Sequence, residues 1–181
     1  MTFRYSKSPK DKEHTIKRQK HMEHFEYVKM NIEYASDVMA ILNHYAKNSF
    51  AAYADQELSI TFFGKLLEMT EGYPACVIKS GNRVVGFCFL RAYSPFPAFK
   101  NTAEISYFID EKYSGKGLGK IVLEKLIDAA REQGITTILA SVSSKNVYSL
   151  SFHQKNNFSE CGRFRQIGRK FGETFDVIWF S

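Results

Sequence analysis

The chain has 181 residues, of which 44% are apolar and 15% aromatic. This length and composition suit one globular domain with a sizeable core rather than a disordered chain. No apolar run approaches 18 residues and the first residues lack an apolar signal core, so we expect a cytoplasmic protein with no membrane partner. The net charge of +6 raises nucleic acid as a partner, but no nucleic-acid-binding motif accompanies it.

Much of the positive charge lies in the first 24 residues, which contain seven Lys and Arg against three Asp and Glu. No compact core can form from so polar a segment, and a charge run of this kind is usually solvated. We therefore expect residues 1–24 to be a basic extension, flexible or packed on the surface. Residues 25–181 are expected to form the domain.

The three cysteines, Cys76, Cys88 and Cys161, are odd in number and scattered. Free, buried thiols in a reducing compartment explain them better than a disulfide or a metal site. We expect no metal ion.

Apolar periodicity predicts the elements of the first half of the chain. They are a strand at 25–30, helices at 35–46 and 58–69, and a hairpin of strands at 75–79 and 83–90. His44, near the end of the first helix, could face a substrate cleft or be an ordinary packed or surface histidine. After the hairpin, residues 94–99 contain two prolines and cannot continue a central strand. This loop, with Phe96, could be the wall of a small-molecule site or a rigid connector.

The second half begins with a strand at 101–109, which Glu104 interrupts with a carboxylate that must be exposed, paired or useful. A helix follows at 117–133 and ends at Gly134, then a strand at 135–142 and a short helix at 146–155. One strand is predicted to start at Phe158, and the last covers 174–180, with a hairpin tip at 168–172 between them. The strand–helix–strand unit implies a right-handed crossover between parallel strands.

A glycine-rich stretch joins the strand at 101–109 to the helix at 117–133. Gly115, Gly117 and Gly119 let the backbone approach a ligand closely, and the helix start offers unpaired N–H groups. Together they form an anion cradle suited to a phosphate. The spacing fails both the Walker A and the dinucleotide patterns, because Ser114 and Lys120 stand where glycines are required.

Residues 114–119, Ser-Gly-Lys-Gly-Leu-Gly, resemble the pyrophosphate loop Gln/Arg-x-x-Gly-x-Gly/Ala of the GNAT acyltransferase superfamily. Residues 146–158 resemble its second motif, Asn-x-x-Ser/Ala-x-x-Leu-Tyr/His-Glu-Lys-x-Gly-Phe, with Asn157 in place of the glycine. From about residue 25 to the end, the chain is identified as a member of this superfamily. The resemblance implies an α/β (α+β) GNAT fold with a single mixed central β-sheet flanked by helices. Ser114 lacks the reach of the usual Arg or Gln, and Lys112 and Lys116 are expected to compensate.

Within the superfamily, the chain resembles the phosphinothricin acetyltransferase branch. The matching stretches are Ile-Leu-Asn-His-Tyr at 41–45, Glu-Ile-Ser-Tyr-Phe-Ile at 104–109, His153, and Gly-Arg-Lys-Phe-Gly at 168–172 with Asp176. This resemblance implies transfer of an acetyl group from acetyl-CoA to the primary amine of a small molecule, an amino acid or an analogue such as phosphinothricin or methionine sulfoximine. It also implies a homodimer.

The resemblance implies a set of site residues. Those expected to bind acetyl-CoA are Tyr107, Phe108, Ile109, Gly115, Lys116, Gly117, Leu118, Gly119, Lys120 and Asn146. Those expected near the substrate are Glu104, Ile105, Ser106 and Phe96. Glu104 is the expected base, or else a clamp for the substrate ammonium. His153 is expected to protonate or orient the leaving thiolate, or only to pack near the pantetheine.

Two other functions stay open at this point. One is acetylation of protein N-termini, which needs an open groove for a peptide. The other is a non-catalytic acyl-CoA-binding module, which loss of groups such as Glu104 and His153 would favour; both residues are present.

Overall fold

The computed structural model describes residues 25–181, and the basic extension expected at residues 1–24 lies outside the described residues. The strands are β1 (Phe25–Lys29), β2 (Ala75–Ser80), β3 (Arg83–Ala92), β4 (Thr102–Ile109), β5 (Thr137–Ser143), β6 (Glu160–Lys170) and β7 (Glu173–Phe180). The α-helices are α1 (Ala35–Asn48), α2 (Phe62–Met69), α3 (Leu118–Glu132) and α4 (Val147–Lys155). None of these helices is both long and apolar enough to cross a membrane.

The seven strands form one sheet in the order β1-β2-β3-β4-β5-β7-β6. Strands β4 and β5 are parallel, and the other neighbouring pairs are antiparallel. Helix α3 provides the crossover between β4 and β5, as a parallel pair requires. The predicted mixed central sheet flanked by helices is therefore confirmed.

Two helix pairs cover the two faces of the sheet. Helices α1 and α2 bury residues such as Val38 and Phe63 against Phe87 of β3. Helices α3 and α4 cover the opposite face, where Val122 of α3 packs with Leu90 of β3. Because side chains alternate along a strand, one strand supplies both cores.

The sheet opens in its middle. Strands β4 and β5 pair only between Thr102–Glu104 and residues 137–139. Beyond that point β4 continues to Ile109, whereas residues 140–143 of β5 pair with β7. A gap therefore lies between the second half of β4 and β5, and we call it the β4–β5 gap.

The structure differs from the sequence prediction at two elements. Helix α2 begins at Phe62 rather than near residue 58, because the side chain of Asn43 binds both the N–H and the C=O of Leu58 at 2.9 Å. Strand β6 continues to Lys170, so the hairpin tip is shorter than predicted. The three cysteines are free, but Cys161 is exposed rather than buried.

Gly86 of β3 allows the close approach of β4. A Cβ atom at this position would lie 2.8 Å from the carbonyl oxygen of Phe108 and 3.3 Å from the Cα of Ile109. We expect Gly86→Ala to lower the free energy of unfolding by about 1–3 kcal/mol, because backbone must move to admit the methyl group. Chemical denaturation measures this change in the free energy of unfolding.

Gly162→Ala is the matched control, since a Cβ there meets no atom within 4 Å. This variant should stay within about 0.5 kcal/mol of the unmodified protein. Equal loss of stability in both variants would contradict the packing argument.

Candidate active site

The direction of the backbone groups of β4 follows from its hydrogen bonds to β3. The Tyr93 N–H donates to the Thr102 oxygen at 3.4 Å, and the Asp110 N–H donates to the Val85 oxygen at 2.8 Å. Hydrogen-bonded pairs alternate in an antiparallel ladder. Even-numbered residues of β4 therefore direct their N–H and C=O groups toward β3, and odd-numbered residues direct them toward the β4–β5 gap.

This alternation distinguishes the three residues expected to bind the pantetheine arm by the direction of their backbone groups. Tyr107 directs both backbone groups into the gap, past the last pair between β4 and β5. Phe108 instead lies in the ladder opposite Phe87, so its backbone groups are used. The Ile109 carbonyl also points away from β3, but it accepts a hydrogen bond from the Tyr45 hydroxyl at 2.5 Å. Tyr107 is therefore the best-placed backbone partner of the three.

The glycine loop forms the expected anion cradle. Gly115 and Gly117 have φ of 73° and 88°, a left-handed conformation that favours glycine. Gly117 caps α3, and the first backbone bonds of the helix run from Lys120 and Ile121 to its carbonyl. Within residues 25–181, the N–H groups of 115–119 donate to no protein acceptor. These N–H groups and the helix dipole attract an anion.

Lysine side chains surround this loop. The Lys116 ammonium lies 5.4 Å from the centre of the Tyr113 ring, and Lys120 lies 3.8 Å from Glu124 one helical turn later. Lys112 sits in the short turn at Glu111–Tyr113, directly before the loop. The charge expected to compensate for Ser114 is thus beside the cradle.

Glu104 forms an ion pair with Arg91. The two residues are directly opposite each other on β4 and β3, and the Arg91 guanidinium donates to the Glu104 carboxylate at 2.5 Å. The Glu104 side chain is 13% exposed and that of Arg91 is 38% exposed. The Glu104 carboxylate is therefore paired, and solvent can still reach it from the side of Arg91.

Two further side chains lie on the face of Glu104. Tyr53, on the loop after α1, stacks on Phe175 with ring centres 5.9 Å apart. Burial raises the pKa of Tyr53, the Ser141 hydroxyl lowers it, and the negative charge of Glu104 raises it. Ser141 follows Leu139, the pair partner of Glu104, by two residues and therefore shares its face. Neither Tyr53 nor Ser141 was predicted, because neither belongs to a recognisable motif.

The other residues expected near the substrate lie in different places. Ser106 shares the face of Glu104, two residues along the strand, whereas Ile105 is buried in the core of the opposite face. Phe96 is 68% exposed on its loop. Tyr93, directly before this loop, packs its ring against Trp179 of β7 with ring centres 6.3 Å apart. The assignment of Phe96 to the substrate site stays a prediction.

His153 lies on the other face of the sheet, buried in α4. Its Nδ1 donates to the Ser149 carbonyl at 2.8 Å, since a carbonyl can only accept. Its Nε2 therefore accepts from the Tyr107 hydroxyl at 2.9 Å. Burial lowers the pKa of His153, so the ring is neutral near pH 7. In this tautomer both ring nitrogens are occupied.

Glu104 and His153 do not share a pocket. They lie on opposite faces of the sheet, and the β4–β5 gap connects the two faces. Tyr107 lies at this gap, with its backbone facing into it and its hydroxyl bound to His153. Asn146 caps α4, and its Oδ1 accepts from the Ser149 N–H at 3.2 Å. Its amide nitrogen stays available for a ligand.

The fold and the cradle define an acetyltransferase of the GNAT class. Residues 37–158 match the Acetyltransferase (GNAT) family, so the chain belongs to this family. The resemblance of the two sequence motifs to this superfamily is thereby confirmed.

Several characterised relatives are similar to the chain. L-methionine sulfoximine/L-methionine sulfone acetyltransferase of Pseudomonas aeruginosa is 34% identical over 112 residues, a match that covers 61% of this chain and 65% of that protein. L-amino acid N-acyltransferase MnaT of Escherichia coli is 31% identical over 148 residues, covering 80% and 85%. Phosphinothricin N-acetyltransferase of Streptomyces coelicolor is 27% identical over 98 residues, covering 54% and 57%. The resemblance to the phosphinothricin acetyltransferase branch is also confirmed.

Solved structures share the fold. The yncA protein of Salmonella typhimurium, determined with its cofactor acetyl-CoA, superimposes with a TM-score of 0.78 at 26% identity. The superposition covers 86% of this chain and 91% of that protein.

The neutral His153 predicts acid sensitivity. The folded state disfavours its protonation, whereas the unfolded chain takes up a proton near the ordinary value of about 6.5. The contribution of His153 to stability is therefore complete above about pH 6.5 and decreases as the pH falls below it. We expect the melting temperature to decrease between about pH 7.5 and about pH 5.5, with a smaller decrease in His153→Gln.

His44→Gln is the control, because His44 is exposed and its substitution should leave the decrease as in the unmodified protein. An identical acid dependence in His153→Gln would contradict the assignment of a buried neutral imidazole.

Proposed function

We propose that the protein transfers an acetyl group from acetyl-CoA to the α-amine of a free amino acid or amino-acid analogue. The observation that carries this proposal is the pairing of Glu104 with Arg91 beside the β4–β5 gap. A carboxylate and a guanidinium side by side complement the ammonium and carboxylate of an amino acid. The named activities of the relatives from P. aeruginosa and E. coli support the same substrate class.

The side of the β4–β5 gap opposite Glu104 and Arg91 suits the coenzyme. The free N–H groups of residues 115–119 and the lysines around them would hold the pyrophosphate. The N–H and C=O of Tyr107 would bind the pantetheine arm as an added strand, and the Asn146 amide would contact it. This arrangement delivers the thioester into the β4–β5 gap, toward Glu104.

The proposed chemistry is direct transfer. Glu104 takes a proton from the substrate ammonium, directly or through water, and the free amine attacks the thioester carbonyl. The new C–N bond gives a tetrahedral intermediate, and the C–S bond breaks as this intermediate collapses. The nitrogen loses a second proton, which the departing thiolate takes up through solvent, so the products are the amide and free coenzyme A. A thiolate leaves readily because the pKa of a thiol is only about 8.5, so the reaction needs no metal ion.

For His153 we propose positioning rather than proton donation. Its Nδ1–H is held by the Ser149 carbonyl, and its Nε2 has no proton to give. It fixes the Tyr107 hydroxyl and, through that side chain, the strand segment at the gap. This geometry supports the expected role of His153 in orienting the leaving thiolate. It does not support direct protonation of the thiolate by His153.

We propose further that residues 25–181 form the acetyltransferase domain of a cytoplasmic homodimer, with residues 1–24 as an accessory extension. Exposed apolar side chains on the edge strand β6, Phe164 and Ile167, support a surface covered by a second copy. Light scattering of the purified full chain measures its mass.

Glu104→Gln tests the base. Without a proton acceptor, the turnover number should fall about 10²–10⁴-fold. The measurement is release of free thiol from acetyl-CoA with a panel of amino acids, peptides and polyamines. Glu132→Gln, an exposed carboxylate at the end of α3, should keep full activity. Unchanged turnover in Glu104→Gln at all pH values would reject the base assignment.

Arg91→Met tests the substrate class. Removing the guanidinium should raise KM for an amino acid about 10–100-fold, because a charged hydrogen bond to its carboxylate is lost. KM for the matching amine without a carboxylate should change much less. Preference for peptides over free amino acids in the unmodified protein would favour acetylation of protein N-termini, and coenzyme binding without thiol release would favour a binding module.

A further inference from the structure

We infer that Tyr45 of α1 is a positioning residue for the coenzyme loop, holding the end of β4 from which the turn into the loop starts. This inference rests on the proposed function, since the loop matters only if it binds acetyl-CoA. No catalytic contact is required of Tyr45.

The first end of the turn is held by a short hydrogen bond. The Tyr45 hydroxyl donates to the carbonyl oxygen of Ile109, the last residue of β4, at 2.5 Å. The ring packs on Phe108 with centres 5.4 Å apart, which places the hydroxyl beyond the end of the strand. The bond joins residues 64 positions apart in the chain, so local structure does not dictate it.

The Tyr45 hydroxyl is partly buried at this position, and burial raises its pKa. One side chain on α1 thus holds the residue that directly precedes the turn.

The turn itself is internally tied. The Asp110 carboxylate accepts from the Lys112 N–H at 3.0 Å, and the Ser114 N–H donates to the Glu111 oxygen at 3.1 Å. Asp110 also pairs with Arg83 at 2.8 Å. Holding Ile109, directly before these bonded residues, therefore restricts where residue 115 starts.

Packing alone does not hold the turn against α1. A cavity of about 350 Å³ lies there, lined by residues that include Ile41, His44, Tyr45, Asp110 and Glu111. Across this space the Tyr45 hydroxyl is a direct hydrogen-bonded link, together with the His44–Glu111 pair at 3.1 Å, which is solvent-exposed. Exposed ion pairs contribute little, so Tyr45 is the stronger of these two links between the turn and α1.

Ser114 explains why this link is needed. Its short side chain stands where the family pattern has Arg or Gln, so it cannot reach across the loop as those residues do. The loop also contains two left-handed glycines, which cost conformational entropy to order. A tether at Ile109 reduces the freedom of the segment that leads into the loop before the coenzyme arrives, and preorganisation raises affinity.

Tyr45→Phe tests the inference in the full chain. Losing one hydrogen bond should weaken binding of coenzyme A, measured by calorimetry, roughly five- to tenfold. KM for acetyl-CoA should rise by a similar factor, while KM for the amine and the turnover number stay nearly unchanged.

Tyr34→Phe is the matched control, because the Tyr34 hydroxyl has no hydrogen-bond partner among residues 25–181, and it should bind coenzyme A as the unmodified protein does. If the unmodified protein binds coenzyme A and Tyr45→Phe binds it equally well, the inference about Tyr45 is wrong. Equal increases in KM for both substrates, or a lowered melting temperature with unchanged affinity, would also overturn it. Absence of coenzyme binding by the unmodified protein would instead reject the proposed function.

Discussion

Strands β4 and β5 share three residue pairs and then separate, although a longer parallel ladder would satisfy more backbone groups. The separation leaves the N–H and C=O of Tyr107 facing an open gap. It also joins two faces of the sheet that carry different chemistry. Glu104 and Arg91 lie on one face, and the hydroxyl of Tyr107 meets His153 on the other. The proposed transfer of an acetyl group from one face to the other takes place through this gap.

Strand β4 carries most of the proposed site because its period of two gives successive residues different neighbours. Even-numbered residues pair with β3 through the backbone and present side chains such as Glu104 to the α1/α2 face. Odd-numbered residues present their backbone to the gap and side chains such as Tyr107 to the α3/α4 face. A one-residue shift in register would exchange these positions.

Helix α1 and the loop after it contact both halves of the proposed site. Tyr45 binds the strand end before the glycine loop, and Tyr53 lies on the face of Glu104. Lys170 of β6 secures the loop between them, because its buried ammonium donates to the carbonyls of Ser49 and Ala52 at 2.7 Å.

The sequence by itself determined the order and type of the elements, the anion cradle and the family, because glycine positions and apolar periodicity are local properties. It also singled out Glu104 by its unusual place in an apolar strand. Only the tertiary structure decided that Arg91 pairs with Glu104, that His153 accepts from Tyr107, and that Tyr45 and Tyr53 belong to the site. These contacts join residues far apart in the chain, and their partners are chosen by strand register and helix packing, which no local pattern encodes.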